Sequence, residues 1–292
     1  SGFNGVDFED NINFERLHSE RLERAKKFLH ESEFGALLCY DFDNIRYITG
    51  THVGEWNRNK MNRHCLLIDG YDQPILFDPA CPSKRQRVSW IRPENIMPAV
   101  GSMRGSIPAS VGMVQQEVEE IISYLKKHDV FDQPLGIDIV DIPLYQELER
   151  AGVKIGDGQA VMVNARMIKT DDEIQLLKCS AAMVDAAKNL RPGATENEMA
   201  ALIQHQLFKW GAESVEFVNC ISGQRGNPHS HTTSNRMIRP GELVYFDVGN
   251  VYNGYHTCYY RTFSCGRPTK AQEEAYAKAL KWIRDGIDQI KP

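Results

Sequence analysis

Two long runs rich in β-branched and aromatic residues, LVYFDVGNVY (243–252) and YHTCYYRTFSC (255–265), meet at Asn253-Gly254. An Asn-Gly pair accepts the positive φ angles of a tight two-residue turn, so these runs are predicted to pair as an antiparallel hairpin. A further strand-like run, VEFVNCIS (215–222), precedes them. Around this hairpin the apolar spacing is helical. Thr195 and Glu198 form a capping box that opens a helix reaching about Trp210, and a last helix starts near Thr269. Asp171 or Asp172 is expected to cap a long helix running to about Leu190, closed by Arg191-Pro192-Gly193.

The first half alternates differently. Phe14, Leu17, Leu22, Ala25, Phe28 and Leu29 recur at helical spacing among charges, predicting an amphipathic helix over 13–31. Short apolar strands follow at 36–41, 64–70 and 74–79, the last two joined by a turn at Gly70-Tyr71-Asp72. A helix over 114–127, a strand at 135–138 and a helix at 145–151 closed by Gly152 complete the pattern. The fold class is α/β, with two domains expected at 1–160 and 161–292.

Composition removes several function classes. The 34 basic and 39 acidic residues give a net charge of −5 without a basic stripe, which argues against a nucleic-acid partner. No stretch approaches the ~18–20 apolar residues of a membrane span, and the acidic start lacks the layout of a signal peptide. Seven cysteines are spread along the chain with no CxxC pair. An odd, scattered set predicts buried thiols in a reducing compartment, so the expected location is cytoplasmic.

The segment DVGNVYNGYHTCYYRTF (247–263) resembles the metal-binding hairpin of the pita-bread superfamily, which includes creatinase, Xaa-Pro aminopeptidase and prolidase. Asp247, Gly249, Gly254, Tyr255, Arg261, Thr262 and Phe263 fall in register with it. IRPGELVYFD (238–247) is similar to the family's lead-in strand and ARMIKTDDEI (165–174) to the helix that opens its domain. YDFDNIRYITG (40–50) resembles the N-terminal domain of the creatinase and aminopeptidase P branch. NIRYITGTHVGEWNRNKMNRHCLL (44–67) is similar to the dimethylsulfoniopropionate lyase branch. The resemblance implies an N-terminal creatinase-type (ribonuclease H-like) domain followed by the first part of a pita-bread domain. The rest of that domain is expected after Pro292, in residues missing from this sequence.

In the family's metal-using members, two Asp, one His and two Glu hold two divalent ions (Mn, Co or Zn), which polarise a carbonyl and activate water. Asp247 falls on the first Asp position and Cys258 on the second. Sulfur does not bridge two hard ions as a carboxylate does, so a conventional dinuclear centre is not expected, and the cofactor reading stays at none or a divalent metal. Gly249 also departs from the lyase branch, which places an Asp there. In creatinase a His on the loop before the lead-in strand is the general base. NPHSHTTSNR (227–236) is the equivalent stretch, with His231 in register as the proton-transfer residue and His229 two positions away as a substrate contact. Trp56, Arg58 and Arg63 fall in a segment that reaches the neighbouring subunit's pocket in creatinase-like homodimers, where an Arg fork would hold a substrate carboxylate.

Each residue also has a plainer reading. Asp247 could pair with Arg261 at a strand end, Cys258 could fill space, His231 could be solvated, and the two arginines could be exposed loop cations. His256 should share a face with Cys258 by strand alternation. The expected function is cleavage of a C–N or C–S bond, by hydrolysis or elimination, in a small polar carboxylate substrate. A metal-dependent Xaa-Pro dipeptidase or aminopeptidase is the alternative, and an inactive ligand- or partner-binding homologue a third.

Overall fold

The computed structural model describes residues 12–54, 58, 60–101, 103–106, 108–182 and 190–291. The chain divides into two compact units, the first extending to Ile174 and the second from Gln175 onward.

The first unit is built on a six-stranded sheet of β1 (Ala36–Cys39), β2 (His64–Ile68), β3 (Ile75–Asp78), β4 (Ile96–Pro98), β5 (Leu135–Ile137) and β6 (Ile155–Asp157), in the order β4-β3-β2-β1-β5-β6. β1 runs antiparallel to β2 and parallel to β5. Every residue of β1, β2 and β3 is buried, which is why these strands read as continuous apolar runs. Alternation along them feeds two cores. Leu37, Cys39, Cys65, Leu67 and Leu76 pack with Ala25 and Leu29 of the helix Phe14–His30 and with Val161, Met162 and Ala165. Leu38, Leu66, Ile68 and Phe77 pack instead with Val118, Ile121, Leu125 and Leu148. Two sheet faces each covered by helices are what fix the register, because a one-residue slip would exchange the two cores.

Three helices of this unit escaped the periodicity, one of them the short Cys81–Arg87. Phe42–Thr49 is capped by the Asp41 side chain and stopped by Gly50 at φ 64°. Its Asn44 is fully buried and donates to Asp138 Oδ2 at 2.9 Å, while Arg166 donates to its Oδ1 at 2.8 Å. Gln159–Met167 has only a short apolar stripe and owes its place to packing on the first helix. The cap of the helix Asp171–Ala182 is a correction. Thr170, not an aspartate, takes that role: Thr170 N donates to Glu173 Oε2 at 2.7 Å and Glu173 N to Thr170 Oγ1 at 3.3 Å. Asp172 instead accepts Arg16 Nε at 2.7 Å.

His64 makes the first unit acid-sensitive. Its ring is fully buried, 4.3 Å from that of Phe77 and 5.0 Å from that of Tyr40, and burial pushes its pKa down to about 3. The folded state holds it neutral, so between the unfolded value near 6.5 and that lower value the unfolded chain binds the extra proton. This contribution is present above pH ~6.5 and is lost as pH falls. Replacing His64 by Phe should flatten the acid limb of stability by up to ~1.4 kcal/mol per pH unit. Urea midpoints from pH 7 to 4 that fall equally in both proteins would contradict this.

The second unit has a three-stranded antiparallel sheet, β7 (Ser214–Ser222), β8 (Leu243–Tyr252) and β9 (Tyr255–Ser264), in chain order. Asn253 and Gly254 take φ angles of 48° and 81°, the two left-handed positions expected of the turn. The helix Glu196–Lys209 packs on β7 and opens with the Thr195–Glu198 capping box. Lys270–Ile287 opens with a second box, Thr269–Gln272. No helix among the described residues is long and apolar enough to cross a membrane.

Candidate active site

The hairpin register sets one face of the second sheet. Asp247 lies across from Tyr260 on β9 and from Asn219 on β7, and Gly249 lies across from Cys258. Strand alternation puts Tyr245, Asp247, Cys258 and Tyr260 on that same face. Asp247 is 3% exposed, and its carboxylate is met by neutral donors. Asn219 Nδ2 donates at 3.3 Å and Cys258 Sγ at 3.1 Å. The Tyr260 phenol also hydrogen-bonds to it, which holds that phenol's pKa up to about 12. Burial, with the Asp247 carboxylate beside it, pushes the Cys258 thiol up to about 11. Cys258 is therefore a thiol donor at neutral pH, not a thiolate.

Above this face runs the loop that follows β7. The His229 ring lies 4.8 Å from that of Tyr245 and 6.0 Å from that of Tyr260, and the His231 ring is 4.2 Å from that of His229. Both imidazoles are exposed. Tyr245 reaches from the sheet to donate to Ser230 O, between them, at 3.3 Å. Thr233 Oγ1 bridges to β7, donating to Val218 O and accepting from Cys220 N, each at 3.0 Å. The two histidines thus sit with Tyr245 and Tyr260 on the face whose floor is Asp247, and Cys258 shares that floor.

The other expected residues are placed elsewhere. His256 stands further along the β9 face, 3.4 Å from Glu216. Arg261 does not pair with Asp247: it donates to Tyr260 O at 2.8 Å and lies over the Tyr259 ring. In the first unit, Arg58 Nη2 is held by both Asp43 oxygens, at 2.8 and 2.9 Å. Arg63 requires a correction. It is 4% exposed, its Nε donates to the fully buried Asp78 at 2.5 Å, and its guanidinium lies over Phe42. That buried ion pair is structural and leaves no fork at a surface for a substrate carboxylate. Trp56 lies outside the described residues.

Tyr260 stands out in the sequence as unusual for the family hairpin, with closing space vacated by metals or packing on the sheet as its two readings, whereas Asn219 and Tyr245 carry no such signal. Counting two residues along the strand from Asp247 would have found Tyr245, but Asn219 depends on the β7 register, which carries a bulge between Val215 and Phe217.

Comparison with known proteins matches residues 176–292 to metallopeptidase family M24. The second unit is an M24 unit of the pita-bread superfamily. The Xaa-Pro dipeptidase of Pyrococcus furiosus is 25% identical over 281 residues, covering 94% of this chain and 72% of that protein. The dimethylsulfoniopropionate lyase DddP of Roseovarius nubinhibens is 25% identical over 304 residues, covering 95% and 65% respectively. Among solved structures, an Xaa-Pro dipeptidase from Bacillus anthracis superposes with a TM-score of 0.74 at 23% identity, over 94% of this chain and 72% of that one. The family and fold expected from the hairpin are therefore borne out, and the fold likeness extends through both units.

An M24 assignment implies divalent metal, and the donors along this hairpin test it. Asp247 offers one carboxylate, while its neighbour Cys258 offers a protonated sulfur that donates to it. Gly249 has no room for a further ligand, because a Cβ there would lie 2.7 Å from the Phe217 ring. Among the described residues no group of three His, Cys, Asp or Glu could hold an ion. A two-ion centre needs hard oxygen donors shared between its ions. Of the two ligand positions on this hairpin, Asp247 supplies such a donor and Cys258 does not.

Proposed function

We propose that this superfamily enzyme cleaves a C–N or C–S bond in a small polar carboxylate substrate, with His231 as the proton-transfer residue and no conventional dinuclear centre. The observation that carries this reading is the pair of imidazoles 4.2 Å apart over a sheet face floored by a buried carboxylate. An imidazole can both take and return a proton. In hydrolysis His231 takes a proton from the attacking water and returns it to the departing nitrogen. In elimination it removes a proton from carbon, and the C–S bonding pair leaves with sulfur. Asp247 and the Tyr260 phenol fix the polar floor, and His229 faces the substrate. Arg58 and Trp56 remain proposed substrate contacts in the neighbouring subunit's pocket of a homodimer. The same reading has the protein as a cytoplasmic homodimer, which sedimentation velocity checks.

The second reading, a metal-dependent Xaa-Pro dipeptidase, is favoured by the names of the relatives from Pyrococcus furiosus and, as a putative dipeptidase, Bacillus subtilis. Parallel assays with an Xaa-Pro dipeptide and with dimethylsulfoniopropionate separate the chemistries. Turnover of neither would favour the inactive homologue.

Cys258→Asp tests the role given to the thiol. It places a hard carboxylate beside Asp247, so in a chain that supplies the family's further His and Glu ligands the variant should retain more Mn or Zn through desalting than the parent, read by elemental analysis. Equal metal content in the two proteins would contradict the view that Cys258 is what breaks the ligand set.

A further inference from the structure

The histidine loop is organised by an ion pair to which neither sequence pattern nor family likeness drew attention. Glu196, the first residue of its helix, is fully buried and accepts from every side. Ser222 N and Oγ each donate to Oε1 at 2.8 Å, closing the end of β7 onto the helix. Ser234 N and Oγ donate to Oε2 at 3.1 and 2.6 Å, and Arg225 Nη1 donates to the same oxygen. From there the Arg225 fork reaches the segment that carries the histidines. Nη1 donates to Ser234 Oγ at 2.8 Å, while Nη2 donates to Ser230 Oγ at 3.1 Å and to Thr232 O. Ser230 stands between His229 and His231, and Thr232 follows His231 directly.

We infer that Arg225, seated on Glu196, is the positioning residue for His229 and His231. The guanidinium is planar, so one fork can hold a buried carboxylate with one nitrogen and a backbone segment with the other. An ammonium keeps the charge but cannot reach both sides in fixed geometry. Both rings are exposed on a turn-rich loop, and among the described residues His229 meets the Tyr245 and Tyr260 rings while His231 meets His229. Their placement over Asp247 is therefore transmitted through the backbone that Arg225 ties down. Misplacing a reacting group by ~1 Å can lower a rate by ~10²-fold.

The inference rests on the proposed role of the histidines, so its test carries a readout that needs no substrate. Arg225→Lys keeps a cation beside Glu196 and preserves folding; Glu196→Gln keeps the side chain's shape while weakening the seat. In 15N-histidine spectra of the whole chain, both variants should shift and broaden the ring signals of His229 and His231. The signals of His30 and His64, in the first unit, should stay. With whichever of the two assay substrates is turned over, kcat should fall by ~10–10²-fold as His231 is misplaced, and KM should rise as His229 loses its substrate contact. Unmoved His229 and His231 signals in both variants overturn the inference. Moved signals, with His229→Ala and His231→Ala both fully active, leave Arg225 as the loop's staple and overturn the role given to the histidines instead.

Discussion

His231→Ala lowers turnover by ~10²–10⁴-fold, the usual share of a general acid–base group, while far-ultraviolet circular dichroism stays unchanged. Folding should survive because the ring is exposed and, among the described residues, its ring contact is with His229. The loop's own anchors, Arg225, Thr233 and Tyr245, do not involve the imidazole. His229→Ala should cost less. Its ring leans on Tyr245, so its loss opens space on the sheet face and weakens substrate contact without removing the proposed proton carrier. The side-by-side assay discriminates. A crippled His229→Ala beside an active His231→Ala would mean that the family register is offset by two residues along this loop. Full activity in both would end the acid–base account.

Arg63→Ala destabilises the first unit by ~3–5 kcal/mol, the range for breaking a buried ion pair from one side. The magnitude follows from what is left behind. Asp78 is fully buried, and after the substitution it keeps the hydrogen bond from Ala80 N, 2.7 Å from Oδ1, and the more distant charge of Lys84. One hydrogen bond and a more distant charge do not compensate a desolvated carboxylate. Phe42 also loses the guanidinium that lies over it. Equilibrium unfolding in urea measures the loss, and KM of the folded fraction should be unaltered. A raised KM with unchanged stability would restore the substrate role first expected for this arginine.

The contrast between these two residues shows how legible the molecule was. The hairpin could be read to the residue because Asn253-Gly254 permits one turn geometry and the flanking runs alternate cleanly. The two capping boxes, at Thr195 and Thr269, were equally local: cap and partner lie three residues apart. Thr170 was passed over in favour of the adjacent acids because three possible caps stood in a row, and the choice depended on which side chain faced the free backbone amides. Long-range polar pairing was not legible. Arg63 and Asp78 are fifteen residues apart, and nothing in their spacing distinguishes a buried pair from two exposed charges. Arg225 and Glu196 raise the same difficulty over a longer separation. Helix Phe42–Thr49 was missed because two turns hold too few residues to establish a period. The histidines were found by family register alone, while the aromatic floor beneath His229 required the strand pairing.

The central claim is that chemistry on the Asp247 face proceeds through His231 and without a two-ion centre. It is tested most directly by turnover before and after exhaustive treatment with EDTA, with metal content measured on the same samples. The account predicts less than stoichiometric Mn, Co or Zn and a rate that chelation leaves unchanged. Two metal equivalents per chain, removed together with activity and restored together by Mn, would contradict it.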